Sequence, residues 1–426
     1  MTSLLDALVA FLVAGALNAF IVRSIRRRLP GPEAAFLSNV YMATLVMRMA
    51  LAVFLNAYSG QTTFANMFWG DSSTYDHGGW VMSMRWGGDV MLNRYTEGRV
   101  SGWGFFYFVG ALYYVFGRNQ LLVQFVNGTI GALTVVVIYA IAKQLFDVEV
   151  AQWAARFMAF FPQVVFWSGA IYKDPAVMFC IAVCMYAVLK LSVKLSLRHV
   201  GLFVAAALVL MSLRFYVFYF VAFATLSTFV LAQRRGMMAS VASYIVVFAV
   251  FLGAFAFAAS RETLEQQKSY LSFERLQITR TDQAMWGQSA LEQADVSTPQ
   301  GALAALPTGL VYLLFAPFPW ALRGIRQMLT LPETLVWYAL WPALIRGLTQ
   351  TFRHRVRQAL PILVFAASLT IAYAVFQGNV GTAYRQRTQV TMFYFIFMAA
   401  GLVHRRRMRA QAQARAAAGE PAFQLP

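Results

Sequence analysis

The chain has 426 residues, of which 60% are hydrophobic and 12% charged, and a formal net charge of +18. A soluble domain carries about twice that charged fraction, so a soluble globular protein is excluded. The basic residues fall in short runs beside apolar stretches instead of gathering on one soluble face, which sets a nucleic-acid reader aside.

Apolar runs of roughly 18 residues or more, enough to cross a bilayer core, recur from end to end. The expected fold class is therefore an all-α polytopic membrane protein. Its orientation is set by five basic clusters placed on the cytoplasmic side. They are Arg23 with Arg26, Arg27 and Arg28; Lys190, Lys194 and Arg198; Arg234 and Arg235; Arg346 with Arg353, Arg355 and Arg357; and the run from Arg405 to Arg409.

In chain order, the first span is Leu4 to Val22, read as retained because its arginines follow the apolar run instead of preceding it. Phe36 to Ala57 leads out to a polar loop, Trp69-Gly70-Asp71-Ser72-Ser73-Thr74-Tyr75-Asp76-His77. Residues 104–117 are apolar but short, and crossing parity makes them a helix on the outer interface. Spans follow at Gln120 to Ala142, Ala151 to Ser168 and Pro175 to Leu191, which places Lys173-Asp174 outside. Cys180 and Cys184 share one helical face there and read as small core residues.

Val200 to Ala232 is expected as two short helices meeting at Leu213-Arg214-Phe215-Tyr216. A span from Ala239 to Ala259 then opens an external polar segment holding Glu262, Glu265, Glu274, Asp282, Glu292 and Asp295. Ala316-Pro317-Phe318-Pro319-Trp320 reads as an outer re-entrant element, since proline cannot donate to a helix ladder. Spans at Leu331 to Leu348, Leu360 to Phe376 and Val390 to Val403 close the path, with an outer loop from Gln377 to Arg387 between the last two. The count is about 11 crossings, accompanied by juxtamembrane helices on the outer face.

Five polar patches thus share the outer side: the Asp71 loop, Lys173-Asp174, Arg214, Arg323 with Arg326, and Arg385 with Arg387. Outer arginines break the positive-inside pattern and need an anion, for which phosphate fits the guanidinium fork. Asp71 and Asp76 are the candidate general bases, roughly 140° apart on a helix but able to converge in a loop. A divalent metal held by Asp71, Asp76 and His77 is the alternative, as is a plain polar loop. Asp174 before Pro175 also reads as a helix cap, and Lys173 as an interfacial anchor. Gly378 and Gly381 would let Arg385 and Arg387 meet one diphosphate. Trp69, Trp80, Trp86, Trp103, Trp320 and Trp337 read mostly as an interfacial belt.

The acidic loop, then "YFVGALYYVFGRNQLLVQFVNGTIGALTVVVIYAIAKQLF", then "FFPQVVFWSGAIYKDPAVMF" resembles the N-terminal half of the C-type (GT-C) membrane glycosyltransferases. It is similar to the bacterial relatives of protein O-mannosyltransferase and of the lipid A aminoarabinose transferase. The resemblance covers residues 36–235, with an echo in "LRFY" and "GNVGTAYRQR". It implies sugar transfer from a polyprenyl-phosphate donor to a glycan, lipid or protein acceptor, on the non-cytoplasmic face of the inner (plasma) membrane. The implied mechanism is inverting displacement.

The resemblance assigns the catalytic carboxylate to Asp71 and less directly to Asp76, with Tyr75 and His77 as supporting neighbours. Lys173, Arg214, Arg385 and Arg387 then meet the donor phosphate, with Asp174 beside them, and no cofactor is required. The implied organisation is an extra N-terminal span and basic loop (1–35), a catalytic transmembrane core (36–259), an external polar segment (260–305), a C-terminal transmembrane part (306–404) and a cytoplasmic tail (405–426). A polysaccharide polymerase or ligase and a lipid-linked-sugar flippase are the rival classes.

Overall fold

In a computed structural model, the described residues are 3–58, 70–88, 102–231, 272–286, 294–322 and 325–418, with 249, 253 and 291. Trp69, Arg234, Arg235, Glu262, Glu265, Glu292, Arg323 and most of the Ala239 to Ala259 span lie outside them. The described residues are helical, with no extended strand. Six helices are long and apolar enough to cross a membrane: α1 (Leu4–Arg28), α2 (Gly31–Tyr58), α5 (Gln120–Leu145), α8 (Asp174–Leu191), α9 (Leu197–Leu231) and α14 (Val356–Phe376). The chain is a multi-pass membrane protein.

The remaining helices are α3 (Gly70–Trp86), α4 (Trp103–Phe116), α6 (Val148–Phe160), α7 (Pro162–Ser168), α10 (Phe273–Trp286), α11 (Pro299–Phe315), α12 (Ile325–Leu329), α13 (Leu331–His354) and α15 (Val380–Ala417). The bundle is built on α5, against which α1, α2, α6 and α8 pack. Polar side chains inside the apolar spans act as fasteners. Asn18 of α1 donates to Thr129 of α5 at 3.0 Å and accepts from Tyr41 of α2. Such bonds have no water to compete with, so they fix helix register.

The described basic clusters gather at one end of the bundle. Lys143 pairs with Glu33 at 2.6 Å, Arg407 bridges Asp147 and Glu149 at 2.8 and 2.9 Å, and Arg355 donates to the Leu145 carbonyl at 2.7 Å. Asp71, Lys173, Arg214 and Arg385 meet at the other end.

Four expectations change. Residues 70–77 are not a loop but the first turns of α3. Tyr75, Gly79 and Met82 recur at helical spacing among polar residues and lay that face on α4, with Tyr75 packed edge-on against Phe105 at 5.0 Å. Residues 380–387 are likewise helical, because the Asn379 side chain caps the Gly381 and Thr382 amides at 2.7 and 3.2 Å. This is the usual way an Asn starts a helix. The 151–168 span is broken into α6 and α7 at Phe161, which is extended (φ −69°, ψ 119°) before Pro162, as a residue preceding proline prefers. Trp337 is fully buried and leaves the interfacial belt. At Arg214, where a turn was expected, α9 is two helices joined by a kink, at φ −157° and ψ 79°.

α13 and α15 cross in close contact. A Cβ on Gly347 would collide with the Phe397 carbonyl, and one on Gly401 with the Ala343 carbonyl. Small residues let the two backbones touch. Gly347→Val should therefore lower stability by about 1–3 kcal/mol, read as a lowered thermal midpoint in detergent, whereas Gly15→Ala, in open space, should not.

Candidate active site

Four segments far apart in sequence supply the polar cluster at the end opposite the basic clusters. The first is the loop between α7 and α8. Asn127 of α5 donates to the carbonyls of Ala170 and Tyr172 at 2.7 and 2.9 Å. The Ile171 amide donates to Ser72 of α3 at 3.2 Å. The loop is thus clamped from two sides just before Lys173-Asp174. Proline at the first helical position then sets the start of α8.

Asp174 is the centre of the cluster, with its side chain only 1% exposed. Arg214, at the joint of α9, donates to it at 3.2 Å and is itself 2% exposed. Arg385 of α15 places its Nε 3.7 Å from the second Asp174 oxygen and donates from Nη1 to Asp71 at 2.7 Å. Asp71, in the first turn of α3, is half exposed. Lys173 lies over the Tyr75 ring with its Nζ 5.8 Å from the centroid. Trp167 and Tyr172 flank Arg385, at 5.9 and 5.5 Å from their centroids.

The charges do not cancel. Three cations face two carboxylates, and Arg214 Nη1 and Arg385 Nε are buried without a hydrogen-bond partner. A buried guanidinium N–H with no acceptor is costly, and an incoming anion is what would satisfy both. Burial works against the Asp71 carboxylate, but the Arg385 guanidinium more than offsets it and holds the group below the usual carboxylate range. Burial pushes the Lys173 ammonium down to about 7, helped by the Arg214 charge and resisted by Asp174.

The structure therefore brings together Asp71, Lys173, Asp174, Arg214 and Arg385, with Tyr75 beside them. Asp76 and His77 go elsewhere. On α3, Asp76 points to a different face from Asp71, and its carboxylate is 4% exposed between Tyr113 at 2.5 Å and Arg118 at 2.6 Å. His77 packs against Trp80 at 5.9 Å. Among the described residues no group of three His, Cys, Asp or Glu side chains could share a metal ion.

Arg387 also parts from Arg385, because two residues along a helix are roughly 200° apart. Its Nη1 donates to the carbonyls of Leu314 and Ala316 at 3.1 Å each. Trp337 donates to the same Leu314 carbonyl at 2.7 Å, and Tyr338 to that of Phe315 at 2.5 Å. Arg387 thus closes the C-terminal end of α11, and the expectation that it meets a diphosphate beside Arg385 is corrected.

Sequence reasoning passed over two buried groups near the cluster. Arg48 of α2, fully buried, donates to Ser168 at 2.8 Å and so holds the end of α7. Glu333 accepts from the Gln163 amide at 2.7 Å at the start of the same short helix. Each was visible as a lone charge within an apolar run, the signal that an intramembrane ionisable residue always carries.

Residues 101–259 match the family model of dolichyl-phosphate-mannose-protein mannosyltransferase. The matched stretch includes Lys173, Asp174 and Arg214. This match supports the resemblance drawn from the sequence to the C-type membrane glycosyltransferases over the matched residues. No curated protein sequence matches the chain. Among solved structures, the chain is similar to the archaeal oligosaccharyltransferase AglB from Archaeoglobus fulgidus, in complex with an inhibitory peptide and a dolichol-phosphate. That likeness has 14% identity and a TM-score of 0.48, covering 90% of this chain and 52% of that one. The apo form of the A. fulgidus oligosaccharyltransferase gives 14% identity and a TM-score of 0.45, covering 91% and 53%. The chain spans about half the length of either.

Asp174 between two guanidiniums should behave as a buried charge pair. Asp174→Ala and Arg214→Met should each cost about 3–5 kcal/mol, because each strands the other's charge. The double variant should cost less than their sum, a coupling that thermal unfolding of all four proteins in one detergent would measure.

Proposed function

We propose that this protein transfers a sugar from a polyprenyl-phosphate-linked donor to an acceptor hydroxyl at the membrane end where Asp71, Asp174, Arg214 and Arg385 meet. This end faces the non-cytoplasmic side of the inner membrane, in keeping with basic clusters at the opposite end. The observation that carries the reading is the buried pair of guanidinium groups with unpartnered N–H donors beside one half-exposed carboxylate.

Asp71 is the base. It takes the proton of the acceptor hydroxyl as that oxygen attacks the anomeric carbon, and the bond from that carbon to the phosphate oxygen breaks with inversion. Arg214, Arg385 and Lys173 receive the charge developing on the departing phosphate. Fixed cations in a dry site stabilise such charge without the reorganisation water would need. Asp174 is a positioning residue: it sets the angle of both guanidiniums and stays out of the chemistry. Asp71 serves better than Asp76, whose oxygens are already held by Tyr113 and Arg118.

The lowered pKa of Asp71 keeps it ionised at neutral pH at some cost in basicity. An acceptor hydroxyl that displaces the Arg385 contact, or a donor phosphate that claims Arg385, would restore that basicity.

Two outcomes follow. In membranes given radiolabelled polyprenyl-phosphate sugars, Asp71→Asn at matched expression should lower turnover by roughly 10²–10⁴-fold, while Asp76→Asn should retain most of it. Unchanged turnover in Asp71→Asn would remove this residue from the mechanism. No transfer from any such donor by the unmodified protein would favour a polymerase acting on lipid diphosphates.

The second concerns pH. Lys173 is a cation below about 7 and neutral above it, so the positive charge available to the phosphate falls as pH rises through that value. Donor affinity should weaken between about pH 6 and pH 8, and Lys173→Arg, cationic throughout, should flatten that dependence. Bound phosphate will itself move the midpoint upward, as an adjacent anion favours the charged ammonium.

A further inference from the structure

Away from the candidate active site, α1 and α2 part to leave a groove of about 680 Å³. Phe11, Val22, Met42, Leu45, Val46 and Met49 make its walls apolar, and Arg23, Arg26 and Arg27 stand at one end. No acidic residue lines it, and none of the three arginines has a carboxylate partner among the described residues. Glu33, the acidic residue nearest in sequence, is taken by Lys143 and Tyr139.

We propose that this groove binds one anionic phospholipid, its phosphodiester held by Arg23, Arg26 and Arg27 and an acyl chain lying between α1 and α2. Three observations fit that occupant. The first is charge: three exposed, unpaired guanidiniums at the mouth of an apolar channel match an anion joined to a hydrocarbon chain. The second is length. From Phe11 to Arg23 the groove follows α1 for about 18 Å, close to half of the roughly 30 Å bilayer core, hence the depth of one leaflet. The third is how the groove stays open. Asn18 donates to Thr129 of α5 and Ala14 packs in one cluster with Leu121, Leu122 and Phe125, while a Cβ on Gly15 would meet nothing within 4 Å.

The site lies at the end of the bundle opposite Asp174. The lipid is therefore distinct from the sugar donor and serves to seat α1, a helix with most of its surface exposed, against the core.

The test is native mass spectrometry of the full chain in mild detergent, titrated with phosphatidylglycerol and, separately, phosphatidylcholine of the same acyl chains. One phosphatidylglycerol should be retained in preference to phosphatidylcholine. Arg26→Gln with Arg27→Gln should weaken it by at least about tenfold, at roughly fivefold per arginine near a lipid surface. Gly15→Leu, which fills the groove and leaves every charge in place, should remove it as well. Arg405→Gln with Arg409→Gln, the same loss of charge elsewhere, should not. Should the arginine variant fail to insert, Gly15→Leu decides alone. Equal retention of both lipids would overturn the proposal. So would a Gly15→Leu protein that keeps its phosphatidylglycerol, or a dimer through α1 that Gly15→Leu dissolves while no lipid binds.

Discussion

A carboxylate buried away from water needs cations beside it, and Asp174 faces two arginines from different parts of the chain. Much of the site's architecture answers that one requirement. Arg214 reaches Asp174 only because the backbone of α9 leaves helical geometry at that residue. Arg385 reaches it only because Asn379 starts α15 at the right register. The loop carrying Asp174 is itself pinned by Asn127 and by Ser72. The charge cluster and the chain path therefore specify each other.

Helix dipoles divide the cluster in an instructive way. Asp71 and Asp174 occupy first turns, where the positive helix end favours a carboxylate. Arg385 lies near the start of α15, where a cation is disfavoured, and the two carboxylates offset that cost. Arg385 keeps one N–H without a hydrogen-bond partner. Arg387 differs in where it is anchored: its Nη1 donates to main-chain carbonyls and seals a helix end, while its Nε is likewise without a hydrogen-bond partner.

The two ends of the bundle differ in kind. At one, Arg355, Arg407 and Lys143 meet surface carboxylates or a helix carbonyl, in pairs that are partly exposed and individually worth little. At the other, Asp174 and Arg214 are buried and Arg385 bridges Asp174 to the half-exposed Asp71. The first set stands out by its excess of cations, and the second is where the proposed chemistry gathers. α1 links the two. It is fixed to α5 through Asn18 near its middle, and carries its arginines to the basic end.

The sequence by itself determined the class of the protein, since apolar length and the placement of cations are properties of the chain alone. It also determined that Asp71, Lys173, Asp174, Arg214 and Arg385 deserve attention, because each is an ionisable group that hydrocarbon cannot hold cheaply. The break at Arg214 and the proline start of α8 were legible for the same local reason. Only the tertiary structure decided which charges meet. Asp71 and Asp76 lie five apart, as do many pairs in loops, and it was the packing of Tyr75 and Met82 on α4 that made the segment a helix and sent them to different faces. Arg385 and Arg387 were likewise inseparable on paper until the Asn379 cap fixed the phase of α15. A charge announces its need for a partner in one dimension, but the choice of partner is a matter of helix phase and register, which long-range packing sets.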